Sequence, residues 1–392
     1  MTTLSTFPTL SNPVAAESFS EVPSFAILST YPPTPCGLAT FSSALAEGLV
    51  SQGAEVGIVR LADGDPTTSG RVIGEYHTGS PSSVSRCADL LNRSDVAVIQ
   101  HEYGIYGGRD GDEVVDVLDG LRVPSIVIAH TVLRDPTRHQ RMVLKAVAAR
   151  ADQLIAMSQA ATERLRAGFG VESGKITTIP HGATVPMGAY GSRGSRPTVL
   201  TWGLLGPGKG VERVIEAMRS LRNLPGRPRY VVAGRTHPKV LAADGEAYRA
   251  ALVEQARACG VADSVVFDTG YRNVAMLMAL ARSAAVVVLP YDSPDQVTSG
   301  VLVDAIASGR PVVATAFPHA VELLASGAGI VVDHDDPEAL EAALRRVLTQ
   351  PRLAGAMAAE ARRLAPEMAW PIVARTYVDV AQRLLAQRQT RR

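Results

Sequence analysis

Short apolar runs alternate with amphipathic stretches along this chain of 392 residues, and this alternation constrains the fold more than any other feature. The predicted strands of the first half are Ser24–Ser29, Val56–Leu61, Val96–Gln100, Val123–Ala129, Gln153–Met157 and Ile176–Ile179, with a helix from about Ala39. Those of the second half are Thr198–Trp202, Arg229–Ala233, Val265–Asp268, Ala285–Leu289, Pro311–Thr315 and Gly329–Val332. Such alternation produces parallel sheets covered on both faces. The sequence therefore predicts an α/β protein of two doubly wound, Rossmann-like domains, with ligands in the cleft at the carboxyl ends of the strands.

The predicted boundary between the domains lies in residues 187–197, which are rich in glycine, serine and arginine and suit an exposed linker. We predict a loose tail over residues 1–22, a first domain over 23–190, a second domain over 196–368 and a closing helix over 369–392. Apolar side chains recur along that helix at helical spacing, so we expect it to pack back on the first domain.

Composition excludes several classes of protein. The formal net charge is +1, so the chain has no basic field for nucleic acid or for an anionic membrane. Cys36, Cys87 and Cys259 lack metal-ligand spacing and fit a reducing compartment. Neither a secretory segment nor an apolar run long enough to cross a bilayer is visible. We expect a cytoplasmic protein without a structural metal, and the oligomeric state stays open.

The loop and helix after the predicted strand Ala285–Leu289 suggest a nucleotide site. The loop ends at Thr298-Ser299-Gly300, and Asp304 follows one helical turn later. The free N–H groups and positive dipole end of a helix favour phosphate, and a carboxylate one turn on can accept hydrogen bonds from ribose hydroxyls. An ordinary Ser/Thr cap on a packing helix is the alternative.

A glycine-rich turn, Gly203 to Gly210, is a second candidate for phosphate binding. Lys209 precedes an amphipathic helix and would add a positive charge suited to a diphosphate. The turn has neither Walker nor dinucleotide-fingerprint spacing. A surface lysine in a glycine turn is the alternative, but two such helix entries in one half favour phosphate binding.

Polar groups also follow predicted strands of the first half. His101, Glu102 and Tyr103 come after one strand, His130 after the next, and the segment 35–40 after the first. Each histidine alone is more often structural, but together they indicate a site in the cleft. His181 is a further candidate, with a turn role equally open. The Asp-x-Asp triplets at 63–65, 110–112 and 333–335 are interpreted as turns or solvated loops.

Several of these segments resemble, in order along the chain, the family-four retaining glycosyltransferases of GT-B fold, some of which transfer mannose. The segments are Gly37-Leu38-Ala39-Thr40, His130-Thr131, Pro180-His181-Gly182, Gly208-Lys209-Gly210 and the stretch from Ser299 to Ala314. The likeness runs from about Ser24 to the final helix. It implies an enzyme, a hexosyltransferase that moves a sugar from a nucleotide-sugar to a saccharide or glycoconjugate hydroxyl without metal or cofactor.

The resemblance also implies roles for individual residues. The expected catalytic residues are His130, Lys209 and Gln296. The expected donor-binding residues are Gly37, Arg235, Tyr271, Thr298, Ser299, Gly300, Val301 and Asp304. The expected acceptor-binding residues are Leu38, Thr40, His101, Glu102 and Tyr103. Two positions depart from the family pattern: Gln296 stands where the family has a glutamate, and Leu204 where it tends to have an arginine, which Arg235 is expected to replace.

The donor sugar is the least constrained expectation. The high content of alanine, arginine and valine suggests a high-GC bacterium, where family members that use GDP-mannose in polysaccharide biosynthesis are common. GDP-mannose is therefore the favoured donor. A UDP- or ADP-glucose enzyme, or a GT-B epimerase, phosphorylase or sugar-nucleotide binder without transfer activity, remains an alternative. A dehydrogenase is disfavoured because the first strand lacks a Gly-x-Gly-x-x-Gly turn.

Overall fold

The computed structural model describes residues 22–185, 196–270 and 272–390. The strands of its first half are β1 Phe25–Ser29, β2 Val56–Leu61, β3 Val72–Tyr76, β4 Val96–His101, β5 Ser125–Ala129, β6 Gln153–Ala156 and β7 Ile176–Thr178. They form one parallel sheet in the order β3-β2-β1-β4-β5-β6-β7. The strand order reverses between β1 and β4, and ligands of doubly wound sheets bind at such a switch point.

The helices of the first half are α1 Gly37–Ser51, α2 Pro81–Leu91, α3 Glu113–Asp119, α4 Arg138–Arg150 and α5 Gln159–Phe169. Side-chain caps explain where several of them begin. Thr137 and Gln140 form a capping box at α4, and the Ser158 hydroxyl accepts from the Ala161 N–H at the start of α5. Gly170 ends α5 in the left-handed conformation.

A second parallel sheet follows, with strands β8 Thr198–Trp202, β9 Arg229–Ala233, β10 Val265–Asp268, β11 Val286–Leu289, β12 Val312–Thr315 and β13 Gly329–Val332. Their order is β10-β9-β8-β11-β12-β13, so the switch point lies between β8 and β11. The helices of this half are α6 Val211–Leu221, α7 Pro238–Asp244, α8 Ala247–Ala258, α9 Val274–Ser283, α10 Gly300–Ala307, α11 Pro318–Leu324, α12 Pro337–Thr349 and α13 Pro351–Leu364. The predicted pair of doubly wound sheets is thereby confirmed.

Both faces of the first sheet are buried. Along β1, Ala26 and Leu28 belong to one apolar cluster, and Phe25 and Ile27 belong to another on the opposite face. Alternating side chains point to opposite faces of a strand, so an unbroken apolar run is what a strand covered on both sides requires.

The last helix, α14 Trp370–Thr390, packs on the first half although it follows the second. Its buried residues include Tyr377 and Leu384, in the same apolar cluster as Phe25. Gly48 of α1 permits a close approach, because a Cβ there would lie 2.9 Å from the Ala374 Cβ. The chain therefore crosses between the two halves twice.

Two findings differ from the sequence predictions. The short strand β3 was not predicted, because its segment Val-Ile-Gly-Glu-Tyr is interrupted by glycine and glutamate. The triplet 63–65 is not merely a solvated turn: Asp63 and Glu75 form ion pairs with Arg60, whose side chain is fully buried. The predicted tail and most of the predicted linker lie outside the described residues. Within the described ranges, no helix is long and apolar enough to cross a membrane.

Candidate active site

The glycine-rich turn after β8 and the loop after β11 lie together at the switch point of the second sheet. The Asp292 N–H donates to the Gly208 carbonyl at 3.0 Å. Gly210 has φ 64°, and a Cβ there would strike the Pro290 carbonyl oxygen. Glycine is therefore required at this junction. A Cβ at Gly203 would lie 3.9 Å from Val301 Cγ2 at the start of α10, so the two predicted phosphate-binding elements are neighbours.

The entrance of α10 has the polar groups that an anionic ligand needs. The Ser299 hydroxyl caps the helix by accepting the Leu302 N–H at 3.2 Å. The Thr298 hydroxyl oxygen is buried and has no hydrogen-bond partner among the described residues. A buried hydroxyl is costly to leave unpaired, so a ligand oxygen at this position would satisfy it.

His181 of the first half lies against this helix entrance. A Cβ on Gly300 would lie only 2.8 Å from His181 Nε2. The Nδ1 atom lies 2.7 Å from the Gly182 carbonyl, which can only accept, so Nδ1 carries the proton. Burial lowers the pKa of His181 to about 4. The ring is therefore neutral near pH 7, and Nε2 offers a lone pair towards α10.

His319, at the start of α11, fixes the loop that precedes α10. Its Nδ1 accepts the Ser299 N–H at 2.9 Å, and its backbone N–H donates to the Gln296 carbonyl at 3.4 Å. The side chain is buried, and burial, followed by nearby His181, lowers the pKa of His319 to about 3. The Gln296 side-chain amide donates to the Thr298 carbonyl at 3.0 Å. Only the amide oxygen of Gln296 is therefore suited to accept from a sugar hydroxyl.

Asp304 and Lys209 supply the charges around the helix entrance. Burial raises the pKa of Asp304 to about 7 and lowers the pKa of Lys209. The Lys209 ammonium lies over the Tyr291 ring, 4.6 Å from its centroid, and that ring stacks on Phe317. Lys209 is thus held beside the loop rather than extended into solvent.

Arg235 flanks the same turn. Its carbonyl accepts the Leu205 N–H at 2.8 Å, and its side chain is exposed after the end of β9. Tyr271, also expected to bind the donor, lies outside the described residues. Its neighbour Arg272 forms an ion pair with Asp268.

His130 directly follows β5 in the first half and lies close to His181. Its Nε2 atom is 2.5 Å from Gln100 Oε1, and its ring packs edge-on against Phe41 of α1 at 4.8 Å. Phe41 also packs edge-on against His181 at 5.0 Å. Burial is the main cause that lowers the pKa of His130 to about 3, with smaller contributions from His181 and His101. The Phe41 ring therefore lies between His130, an expected catalytic residue, and His181 at the α10 entrance.

The expected acceptor residues after β4 are mostly buried. Glu102 accepts from the Thr131 hydroxyl and from the Tyr103 N–H at 3.0 Å. Burial raises the pKa of Glu102, and those hydrogen bonds and the charge of Lys239 oppose the rise. His101 is almost fully buried against Tyr103, and burial lowers its pKa to about 4. Of this group, Glu102 is the residue whose pKa is affected by a charge of the second half, the Lys239 ammonium.

The remaining predicted residues lie at the start of α1, on the same helix as Phe41. Gly37 and Thr40 are exposed and Leu38 is partly exposed. The Cys36 sulfur caps this helix by accepting the Ala39 N–H at 3.4 Å. The structure thus leaves these residues open to solvent at the carboxyl edge of the first sheet.

Sequence reasoning missed His319 and Lys239. His319 follows β12 by four positions, so the rule that sites form at carboxyl ends of strands could have identified it. Lys239 lies on α7, and a Cβ on Gly104 would be 3.3 Å from its Nζ atom. No spacing in the sequence indicates that contact, because it depends on how the two halves meet.

No group of three or more histidine, cysteine or acidic side chains in the described part of the chain is arranged to hold a metal ion. Asp110, from one of the Asp-x-Asp triplets, instead pairs with His139 Nδ1 at 2.9 Å.

Two family models match consecutive parts of the chain. The model described as "Glycosyltransferase Family 4" matches residues 35–185, and the model described as "Glycosyl transferases group 1" matches residues 187–364. No curated protein sequence matches the chain.

Solved structures share the whole architecture at low identity. HepE from Anabaena, solved with UDP, is 18% identical with a TM-score of 0.73, and the match covers 92% of this chain and 99% of HepE. Sucrose-phosphate synthase from Thermosynechococcus elongatus is 18% identical with a TM-score of 0.73, covering 93% and 100%. WaaG, a glycosyltransferase of lipopolysaccharide biosynthesis, is 19% identical with a TM-score of 0.65, covering 91% and 99%. These likenesses confirm the predicted GT-B fold.

Proposed function

Because the chain belongs to the family-four glycosyltransferases of GT-B fold, we propose that it moves a hexose from a nucleoside diphosphate sugar to a saccharide or glycoconjugate hydroxyl, with retention at the anomeric carbon. One observation best supports this proposal. The entrances of α6 and α10, together with Lys209, lie beside His181, and His181 packs through Phe41 against His130. Groups suited to a diphosphate thereby face groups suited to a sugar.

The donor is held through its charged and hydroxyl groups. The α10 entrance and Lys209 bind the diphosphate, and the Thr298 hydroxyl donates to one of its oxygens. Asp304 accepts from the ribose hydroxyls. His130 and the amide oxygen of Gln296 hydrogen-bond the sugar.

The bond from the anomeric carbon to the phosphate oxygen breaks as the bond to the acceptor oxygen forms on the same face. Negative charge grows on the leaving diphosphate, where Lys209 and the helix entrance stabilise it. The acceptor proton passes to the leaving phosphate oxygen, so no protein base is required. Glu102 positions the acceptor, because it directly follows the carboxyl end of β4 and lies near the Lys239 ammonium of the second half.

The donor we propose is GDP-mannose, with UDP-glucose as the main comparator because HepE has been solved with UDP-glucose. The test incubates the purified protein with GDP-mannose, UDP-glucose and ADP-glucose, each with and without a mixture of mono- and oligosaccharide acceptors. Release of nucleoside diphosphate that requires acceptor, with an α-linked product, supports the proposal. Tight binding without release identifies a sugar-nucleotide binder, and isomerisation of the donor identifies an epimerase.

The proposed reaction needs no metal ion. Turnover should therefore be unchanged within about twofold when a chelator is added, because cationic side chains and helix N–H groups replace a metal at the diphosphate. Loss of turnover in chelator, with recovery on addition of magnesium or manganese, would contradict this expectation. Chelator-treated enzyme with zinc added serves as the control for non-specific metal inhibition.

A further inference from the structure

The loop that carries Gln296 belongs to the second half but is held by the first. Arg164 of α5 forms an ion pair with Asp295, Nη2 to Oδ1, at 2.8 Å. Its Nη1 atom donates to the Asp295 backbone carbonyl at 2.8 Å and to the Val132 carbonyl at 2.9 Å. The Arg134 N–H adds a bond to the Asp295 carboxylate at 3.2 Å. Arg164 therefore fixes the backbone directly before Gln296, not only a side chain.

Val297 anchors the other side of Gln296 by apolar contact. It is 3% exposed and belongs to an apolar cluster whose other buried members all come from the first half. The loop therefore docks on the first domain through a charged residue and an apolar residue on either side of Gln296. Burial of a valine side chain contributes a stabilisation that a solvated loop would lack.

A second contact between the halves lies on α11. The Glu322 carboxylate accepts the N–H groups of Gln159 at 2.8 Å and Ala160 at 3.1 Å, at the start of α5. A carboxylate at a helix N-terminus satisfies free donors and complements the dipole. The same helix α11 carries His319, which binds Ser299. Helix α5 therefore contacts both the loop and the helix that supports the far end of the loop.

We propose that Arg164 and Glu322 are positioning residues that set the loop 295–299 in its donor-binding conformation only when the two domains are closed. The inference rests on the proposed function, because the loop includes Gln296 and Thr298 of the donor site. Closure of the first domain then does two things at once: it brings His130 to the sugar and it orders the second half's own donor loop. Opening releases Asp295 and Val297, and with them the diphosphate.

The decisive variant is Arg164→Ala, with Arg166→Ala as the matched control. Both residues lie on α5, but Arg166 is exposed and makes no bond to the loop. Arg164→Ala should speed backbone hydrogen exchange in 295–300 by about tenfold or more relative to Arg166→Ala, while exchange in β11 is unchanged. Donor KM should rise and kcat/KM should fall by about 10- to 100-fold, since small displacements of a binding group have effects of this size. Acceptor KM should not change.

Asp295→Asn gives a graded second test. It removes the ion pair but leaves the backbone carbonyl that Arg164 also contacts, so its effect should lie between those of the two arginine variants. A graded series is not expected from simple loss of fold. Equal loop exchange in Arg164→Ala and Arg166→Ala would overturn the inference.

Failure of the inference and failure of the proposed function are separable. If the parent protein releases no diphosphate from any donor, the proposed function fails, but the exchange measurement still decides whether the first domain orders the loop. If donor kinetics respond to Arg164→Ala while loop exchange does not, Arg164 acts on the donor by another route and the positioning role is wrong.

Discussion

The buried carboxyl of Asp304 should make nucleotide binding depend on pH. Burial raises the pKa of Asp304 from 3.8 to about 7. In the proposed site, the ionised form accepts hydrogen bonds from both ribose hydroxyls, whereas the protonated form does so less well. Apparent affinity is proportional to the fraction of protein in which Asp304 is ionised. The dissociation constant of the nucleotide should therefore fall about tenfold between pH 6 and pH 8.

The same shift predicts a change in stability of the ligand-free protein. The pKa of Asp304 is higher in the folded than in the unfolded protein. Its contribution to the free energy of unfolding is therefore fully present below pH 3.8 and is lost as the pH rises to about 7. A shift of this size corresponds to roughly 4 kcal/mol, which is an upper bound because Asp304 is partly exposed. Asp304→Asn, which cannot ionise, should therefore be more stable than the parent at pH 8 and nearly equal to it at pH 4.

Calorimetric titration with the tightest-binding of GDP, UDP and ADP, at several pH values, tests the first expectation. Asp304→Asn is the control, because its remaining pH dependence reports the phosphate groups of the ligand. Thermal unfolding of both proteins across the same range tests the second expectation. Parallel pH profiles for parent and variant in both experiments would refute the assignment of Asp304 as a buried, titrating ribose ligand.

Three further expectations concern the donor site and the closing helix. Lys209→Met should lower kcat by about 100- to 1,000-fold through loss of charge at the leaving diphosphate, whereas Lys145→Met, at an exposed position of α4, should not; equal turnover in the two variants would remove Lys209 from the site. Gly300→Val should weaken diphosphate binding and lower the free energy of unfolding by about 1–3 kcal/mol, because a Cβ there would lie 2.8 Å from His181 Nε2, whereas the control Gly168→Ala adds its Cβ in open space; calorimetry and unfolding measure both. Tyr377→Ala should cost about 3–5 kcal/mol, and Tyr377→Phe should be neutral or stabilising, since the buried hydroxyl has no partner among the described residues; a destabilising phenylalanine would reveal one.

The fold was predictable because its signals are local. Each buried strand is a short apolar run, and the helices begin at caps such as Ser158 and Thr137 that sequence displays directly. Strand β3 escaped prediction because it lies at the sheet edge, where pairing on one side suffices and a polar interruption is tolerated. The partners of Arg60 were likewise hidden, since they come from separate segments around residues 34, 63 and 75.

The candidate site was predictable to a lesser degree. Strand ends and glycine turns indicate where Lys209, Gly300 and His130 lie, because parallel strands bring their carboxyl ends to one edge. No pattern in the sequence indicates the contacts between the two halves. Arg164 appears in the sequence as one arginine among several on an amphipathic helix, and only the packing of the two domains brings it to Asp295.

The glutamine at 296 changes where negative charge lies in the proposed reaction. With its amide N–H bonded to Thr298, Gln296 offers the sugar a neutral oxygen rather than a carboxylate. The histidines proposed to lie beside the sugar are neutral as well, because burial lowers the pKa of His130 and His181. Positive charge that develops on the sugar ring would then be stabilised chiefly by the departing diphosphate on the same face, and Coulomb stabilisation of that kind weakens steadily with distance. The rate should consequently depend on how closely the diphosphate is held, which makes the placement of loop 295–299 by the first domain a matter of catalysis as well as of binding.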